Sequence, residues 1–348
     1  MWLNRVTVQA GSNDMELSAD YSSDEADCLA EFGTFQLSPA ATVLNYGQAL
    51  FEGMKAFRRV DGTIALFRPE RNSLRMQSGA KRFLLPPVPT DVFVSAADCV
   101  VRANARWVPP FGKGALYLRP LLMGTGEDLG VKPSWESTFC IYCCPVGNYF
   151  KGGLKAIRLQ AVRGFSRAAQ GGAGHVKASG NYAPAFLAQR AVKSRGFDDV
   201  LCLDAATGNT IEEAGASNFF AVFPNNTIYT PSLDSETILP GVTRASIIEL
   251  AERECGCKVI EGPIHLSDLK DACEAFCCGT GASVTPVGSV SVADADGKEE
   301  KETGVTFGDG TTPGPITQQL YQMLLDIQMG NDEELNERYA DWIHLVEP

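Results

Sequence analysis

The sequence predicts an α+β protein of two domains, and three observations carry that expectation. Its 348 residues exceed the roughly 250–300 at which a single hydrophobic core stops growing. Helical and strand-like patterns follow one another without the regular strand–helix–strand alternation of a doubly wound sheet. A glycine-containing break, "NYFKGGLK", separates a first region of mixed pattern from a second region richer in strands. The expected division is an N-terminal domain over 1–150, a linker over 151–157 and a C-terminal domain over 158–348.

In the first region, residues 91–107 read as a helix with Phe93, Ala97, Val100 and Trp107 on one face, ended by Pro109 and Pro110. "GALYLRPLL" and "STFCIYCCPV" are short β-rich runs. In the second region, "DDVLCLD", "TIEEAG", "NFFAVF" and "TIYTP" are separated by turn sequences and read as a run of antiparallel strands. A helix after Pro184 should turn Phe186, Leu187 and Val192 inward and end at Gly196, behind Lys193 and Arg195. A second helix opens after "LPG" with Ile247, Ile248 and Leu250 as its apolar face. A third, over 316–329, follows Pro315 and carries Ile316, Leu320, Met323, Leu324 and Ile327 as one stripe.

Composition removes several function classes. A chain 45% hydrophobic and 21% charged is of ordinary globular make-up. No apolar run approaches the roughly 18 residues of a membrane helix, and the first residues lack the basic-then-apolar order of a secretory signal. A net charge of −12 argues against nucleic acid as a partner. Most of the eleven cysteines sit inside apolar runs, as buried thiols of a reducing compartment do. Cytoplasm is expected, with mitochondrion or plastid as the alternative after loss of a transit peptide. No metal is expected, because the cysteines lack paired C-x-x-C spacing and the three histidines lie far apart.

The chemistry centres on "GGAGHVKASGNYAPAF", where small residues surround Lys177. Backbone, or something large and flat, must approach this lysine closely. Neither a phosphate-binding P-loop nor a dinucleotide fingerprint fits: Val176 precedes the lysine, Ala178 follows it, and no G-x-G-x-x-G is present there. A desolvated lysine can instead form a Schiff base, for which pyridoxal phosphate is the natural aldehyde. Local sequence alone leaves an ordinary glycine-rich loop as the commoner reading. A carboxylate for the pyridine nitrogen could be Glu212 or Glu213, one of which an alternating strand points inward. Two stretches could hold a phosphate: the helix N-terminus at "LPGVTR", with Thr243 beside it, and the small-residue turn at "CCGTGAS".

Together these stretches resemble the branched-chain amino-acid aminotransferases, fold type IV enzymes of pyridoxal phosphate, in the wording of their plant and bacterial branch. The blocks are "LNYGQALFEGMKAFRR", "LFRPERNSLRM", "LYLRPLLMGTG", "CPVGNYF", "GHVKASGNYAP", "EEAGASNFF", "ILPGVTRASI" and "FCCGTGAS", spread over about 35–330. The resemblance implies that Lys177 is the Schiff-base and proton-shuttling lysine and Glu213 the partner of the pyridine nitrogen. It implies that Tyr182 donates to the cofactor's phenolic oxygen, and that Arg75, Val242, Thr243 and Thr280 hold the phosphate. Arg167 matches an arginine near the cofactor. For substrate it implies an aromatic wall of Phe51, Tyr117 and Tyr149, with Arg119 for the second carboxylate of glutamate. The amides of Thr280 and Gly281 would take the α-carboxylate, and Tyr46 would come from the neighbouring subunit of a homodimer. The implied reaction exchanges amino groups between Leu, Ile or Val and 2-oxoglutarate, giving branched 2-oxo acids and glutamate.

Ala216 and Gly281 depart from the family's usual Thr or Ser and Ala, and a redox C-x-x-C found in some animal members is replaced here by Ala282 and Thr285. D-amino-acid transaminases, R-amine transaminases and aminodeoxychorismate lyases share the lysine and glutamate and form the alternative. The most distant alternative is a cysteine-rich metal or redox module at Cys143–Cys144 and Cys277–Cys278.

Overall fold

A computed structural model describes residues 1–10, 16–147, 154–281, 283–298, 300 and 304–347. The chain forms two compact units: Met1–Asn148 with Val176–Gly180 and Asp326–Pro348, and Tyr149–His175 with Asn181–Leu325.

The first unit is built on a seven-stranded sheet ordered Trp2–Thr7, Glu136–Gly147, Gly114–Gly124, Met54–Arg58, Ile64–Phe67 and Ile343–Val346, with Ala49–Phe51 also paired to Gly114–Gly124. Alternation along Gly114–Gly124 sorts its side chains. Leu116, Leu118 and Leu122 are fully buried, whereas Tyr117 and Arg119 are half-buried on the other face. Two amphipathic helices, Pro69–Phe83 and Thr90–Ala103, accompany the sheet. Phe93 packs its ring 5.9 Å from that of Phe139.

The helix expected over 91–107 ends at Ala103 and continues as a 3₁₀ turn over Ala105–Trp107. Phe93, Ala97 and Val100 are buried as expected, but Trp107 is 55% exposed. The tighter 3₁₀ winding rotates it off the stripe, and the Arg106 guanidinium lies 5.4 Å over its ring. A single division near 150 does not describe this chain. Ile343–Val346 pairs antiparallel with Ile64–Phe67, which returns the C-terminal segment to the first sheet. Of the expected linker, 151–153 lie outside the described residues, and Ile157 already begins a strand.

The second unit contains a closed ring of six strands: Ile211–Ala214, Asp199–Leu203, Ile157–Val162, Ser283–Ala293, Glu274–Gly279 and Ser217–Phe223, the last pairing back to the first. Closure leaves no free edge within the ring. Leu159, Leu201, Phe219, Val287 and Val292 belong to its buried core. The expected antiparallel hairpins are present, but Ile157–Val162 runs parallel to both neighbours. The helix after Pro184 spans Phe186–Ser194 and corrects an expectation. Val192 is buried with Val200 and Cys202, while Phe186 and Leu187 are 61% and 79% exposed. So short a helix presents a narrow face to the sheet, and its first two residues fall outside that face. Helix Val242–Arg253 buries Ile247 and Leu250 and half-buries Ile248.

Helix Pro315–Met329 starts on a buried carboxylate. Glu274 Oε1 accepts from the Ile316 amide at 3.1 Å, and Oε2 accepts from the Thr317 amide at 2.9 Å and its hydroxyl at 2.8 Å. An anion there complements the helix dipole and satisfies otherwise orphan donors. Glu274→Ala should cost about 2–3 kcal/mol, read as a lower urea midpoint with an unchanged denaturant slope.

Candidate active site

Each unit brings together part of the set named from the sequence. In the first, Lys177 lies in the short segment 176–180, which pairs with the strand Ala49–Phe51. The Phe51 amide donates to the Lys177 carbonyl at 3.1 Å, and Leu50 and Ala178 form an antiparallel bridge. Val176 and Ala178, on either side of the lysine, are buried. Gly79 makes room for this seam, since a Cβ there would stand 3.1 Å from Val176 Cγ1. The backbone is therefore fixed while the side chain projects with its Nζ 4.6 Å from the centre of the Phe51 ring.

The same ring takes a second cation. The Arg119 guanidinium lies 4.6 Å from the Phe51 centroid and 5.3 Å from that of Tyr117, and its Nη2 donates to Tyr117 Oη at 3.0 Å. Arg119 Nε is buried without a hydrogen-bond partner, a donor suited to an arriving acceptor. Tyr117 occupies space that only glycine leaves open, because a Cβ on Gly53 would stand 2.1 Å from its hydroxyl. Gly53→Ala should push that ring aside and raise KM about tenfold, with a smaller effect on folding stability. Substrate titration beside thermal unfolding separates the two.

Lys55 stands directly opposite Tyr117, and burial pushes its amine down to about 8. Arg75 is gripped by Glu52: its Nε donates to Oε1 at 2.7 Å and its Nη2 to Oε2 at 2.6 Å. Glu52 is fully buried and also accepts from Asn72 Nδ2 at 2.7 Å. Tyr46 is 44% exposed, and its hydroxyl donates to the Leu129 carbonyl. Tyr149 lies outside the described residues.

In the second unit, Glu213 is the hub. It is 5% exposed, and Arg167 Nε lies 2.9 Å from its Oε1. The Nε–H is not aimed along that line, so the contact is Coulombic rather than a hydrogen bond. Glu213 Oε2 accepts from Asn218 Nδ2 at 3.2 Å and from the Leu239 amide at 3.1 Å. A cation and two neutral donors favour the charged carboxylate there. Arg167 Nη2 donates to the carbonyls of Gly174 and Thr237. A Cβ on Gly174 would stand 2.6 Å from the Thr237 carbonyl oxygen, which gives one of the glycines before Lys177 its reason.

Helix Val242–Arg253 opens at Gly241 with no side-chain cap, although Val242 and Thr243 are buried. Buried, uncapped amides at a helix N-terminus suit an anion. Thr280 and Gly281 form the turn before the strand Ser283–Ala293, and a Cβ on Gly281 would meet nothing within 4 Å. Alanine thus fits there, and glycine is not dictated by space. Tyr182 is half-buried in this unit. His175 is a loop residue whose amide donates to the Glu236 carbonyl at 3.0 Å, with Nδ1 also 3.0 Å from that oxygen.

The sequence does not single out Gly53 and Lys55, which stand against Tyr117, Glu52, which binds Arg75, or Asn218, which donates to Glu213. Only Asn218 carried a visible signal, a polar residue inside the apolar run "NFFAVF". Among the described residues, no group of three His, Cys, Asp or Glu side chains could hold a metal ion. All eleven cysteines are unpaired thiols, and no described helix is long and apolar enough to cross a membrane.

Residues 49–290 match the class IV amino-transferase family. The chain belongs to that family. It is 49% identical over 302 residues to a chloroplastic branched-chain amino acid aminotransferase 2 of Humulus lupulus, covering 87% of this chain and 71% of the relative. It is 46% identical over 319 residues to a mitochondrial branched-chain-amino-acid aminotransferase 1 of Arabidopsis thaliana, covering 92% and 79%. It is also 46% identical over 306 residues to a methionine aminotransferase of the same plant, covering 88% and 82%. Among solved structures, a branched-chain aminotransferase of Thermoproteus uzoniensis with norvaline superposes with a TM-score of 0.74 at 26% identity, covering 90% and 94%. In fold, a branched-chain amino acid aminotransferase of Thermobaculum terrenum in its PLP-form gives 0.74 at 24% identity, covering 100% and 98%. The α+β class IV aminotransferase fold expected from the sequence is the fold observed.

Proposed function

We propose that this class IV aminotransferase uses pyridoxal 5'-phosphate to exchange amino groups between L-branched-chain amino acids and 2-oxoglutarate. The observation that carries the reading is the Phe51 face, where one apolar ring lies against both the Lys177 amine and the Arg119 guanidinium. An apolar side chain can use the ring, and a dicarboxylate can use the unpartnered Arg119 Nε.

The residues present suit the cofactor's three chemical demands: an amine for its aldehyde, a buried anion for its ring nitrogen and donors for its phosphate. When bound, the cofactor supplies an electron sink that acidifies the substrate's Cα–H bond. Lys177 Nζ would hold the cofactor's aldehyde carbon and, once displaced by the incoming amino group, would be the base that takes the substrate's Cα proton and the acid that delivers it to that former aldehyde carbon, across the nitrogen from Cα. Glu213 keeps negative charge where a protonated ring nitrogen needs it, and Arg167 with Asn218 keeps that carboxylate ionised and fixed. We assign the phosphate to Arg75, the Val242 and Thr243 amides and the hydroxyls of Thr243 and Thr280. Tyr182 takes the phenolic oxygen. The α-carboxylate falls to Thr280 and Gly281, and the apolar side chain to Phe51, Tyr117 and Tyr149.

Tyr46 serves the neighbouring subunit of a homodimer in this account. Leu44, Tyr46, Leu129, Val131 and Trp135, all of the first unit, are between 44% and 87% exposed, a large apolar display for a monomer. Light scattering should return the mass of two chains. A reducing compartment suits eleven unpaired thiols. A tagged full-length gene product, imaged in cells, distinguishes cytoplasm from plastid and mitochondrion.

A chirality and substrate panel tests the proposal. L-leucine, L-isoleucine and L-valine should each donate to 2-oxoglutarate, and D-leucine should not. Preference for D-leucine would place the chain with the D-specific members of the fold. A lead for methionine over all three branched amino acids would move the substrate class instead.

A further inference from the structure

The paired glutamates of "TIEEAG" are not divided between inside and outside. The register between Asp199–Leu203 and Ile211–Ala214 pairs Leu203 with Ile211 but Leu201 with Ala214, so Glu212 and Glu213 together face the single residue Cys202. A bulge of this kind turns two successive side chains to one side. Both are buried, each 5% exposed. Glu213 has a clear task, but Glu212 has none in the mechanism above. The Thr237 side chain lies beside its carboxyl, and its Oε2 is buried with no hydrogen-bond partner. Thr237 closes the circle, because its carbonyl accepts from Arg167, the cation beside Glu213. A buried carboxylate with an unsatisfied oxygen is costly, and Val or Thr would be a less expensive occupant of a strand.

Charge counting gives the carboxylate a purpose. Arg167 and Glu213 alone make a neutral pair, which attracts a protonated ring nitrogen weakly. A second carboxylate in the field of the same guanidinium leaves one net negative charge, which a ring-nitrogen cation then neutralises. We propose that Glu212 is a positioning residue whose carboxylate, buried beside the Arg167–Glu213 pair, leaves that cluster with net negative charge and so lets Glu213 hold the protonated ring nitrogen of the cofactor. The inference rests on the pyridoxal-phosphate reading of the chain.

The titratable and charged groups around Glu212 are Arg167, Glu213, Asp204 and Cys202, with Asp199 on the strand that carries Cys202. Burial, the largest influence, pushes the Glu212 carboxyl up; Thr237 and Arg167 oppose it, and Asp204 adds to it. Below its raised pKa, Glu212 is neutral and equivalent to glutamine. Above it, the extra charge is present. The effect of removing that charge must therefore grow as pH rises.

Apoprotein titrated with pyridoxal 5'-phosphate at pH 8 and at the lowest pH at which it stays folded tests this, using wild type, Glu212→Gln and Glu212→Asp. Glu212→Gln should weaken cofactor binding about tenfold at pH 8, the effect of roughly one pK unit of coupling, and less at the acid end of the range. Its apoprotein should melt no lower than wild type, since a buried charge has been removed. Glu212→Asp, which restores the charge on a shorter arm, should recover part of the pH dependence. Equal affinity of Glu212→Gln and wild type at both pH values would overturn the inference while leaving the function intact. A loss that is the same at both pH values and is accompanied by a lower melting temperature would also overturn it, in favour of a packing role. Failure of the wild-type protein to bind the cofactor at all would overturn the function and this inference with it.

Discussion

Lys177→Ala should abolish amino transfer, lowering kcat by about ten-thousand-fold, and should remove the visible absorbance of lysine-bound cofactor. The effect is large because, in the proposed mechanism, one amine does two jobs, holding the aldehyde and moving the Cα proton. Arg119 shares the Phe51 ring, but its guanidinium offers no free amine to hold an aldehyde. The substitution should be benign for the fold. Backbone atoms make the pairing with the strand Ala49–Phe51, and those atoms survive in alanine. Kinetics, a visible spectrum and a melting curve on one preparation therefore give a sharp result. Retained turnover with a normal melting temperature would remove Lys177 from the chemistry.

Glu213→Gln should lower kcat by about a hundred- to a thousand-fold with little change in KM. Glutamine fills the same volume and keeps an oxygen for the Leu239 amide, but it cannot carry the charge that a protonated ring nitrogen requires. Arg167 loses its ion-pair partner in the same step. Removing one member of a buried pair commonly costs about 3–5 kcal/mol, but Glu212 remains nearby to take part of that cation's field. The variant should thus be folded and coloured, because Lys177 is untouched, yet slow. A variant within about threefold of wild type would show that the ring nitrogen needs no anion here.

Local physics made much of this legible beforehand. The apolar stripes of Thr90–Ala103, Val242–Arg253 and Pro315–Met329, and the β-rich runs around the barrel, were readable because helix and strand periods act within a few residues. Lys177 stood out by its small neighbours, and Gly174 shows what one of them is for. What escaped depends on partners distant in sequence. Nothing local says that Ile343–Val346 will pair with Ile64–Phe67, or that residues 176–180 will join the first unit. Nor does alternation foresee a bulge opposite Cys202, and so one inward glutamate was expected where two are buried. Hydrophobicity alone turns Phe186 and Leu187 inward, whereas a nine-residue helix buries little more than Val192. Glu52, bound to Arg75 across 23 residues, gave no sequence signal of its role.

The most direct test of the central claim is a visible spectrum of the purified protein with pyridoxal 5'-phosphate, followed through two additions. L-leucine should bleach the band of lysine-bound cofactor as the amino group moves to it, and 2-oxoglutarate should then restore the band and yield glutamate. A protein that stays colourless with added cofactor, or whose band ignores L-leucine, would contradict the account.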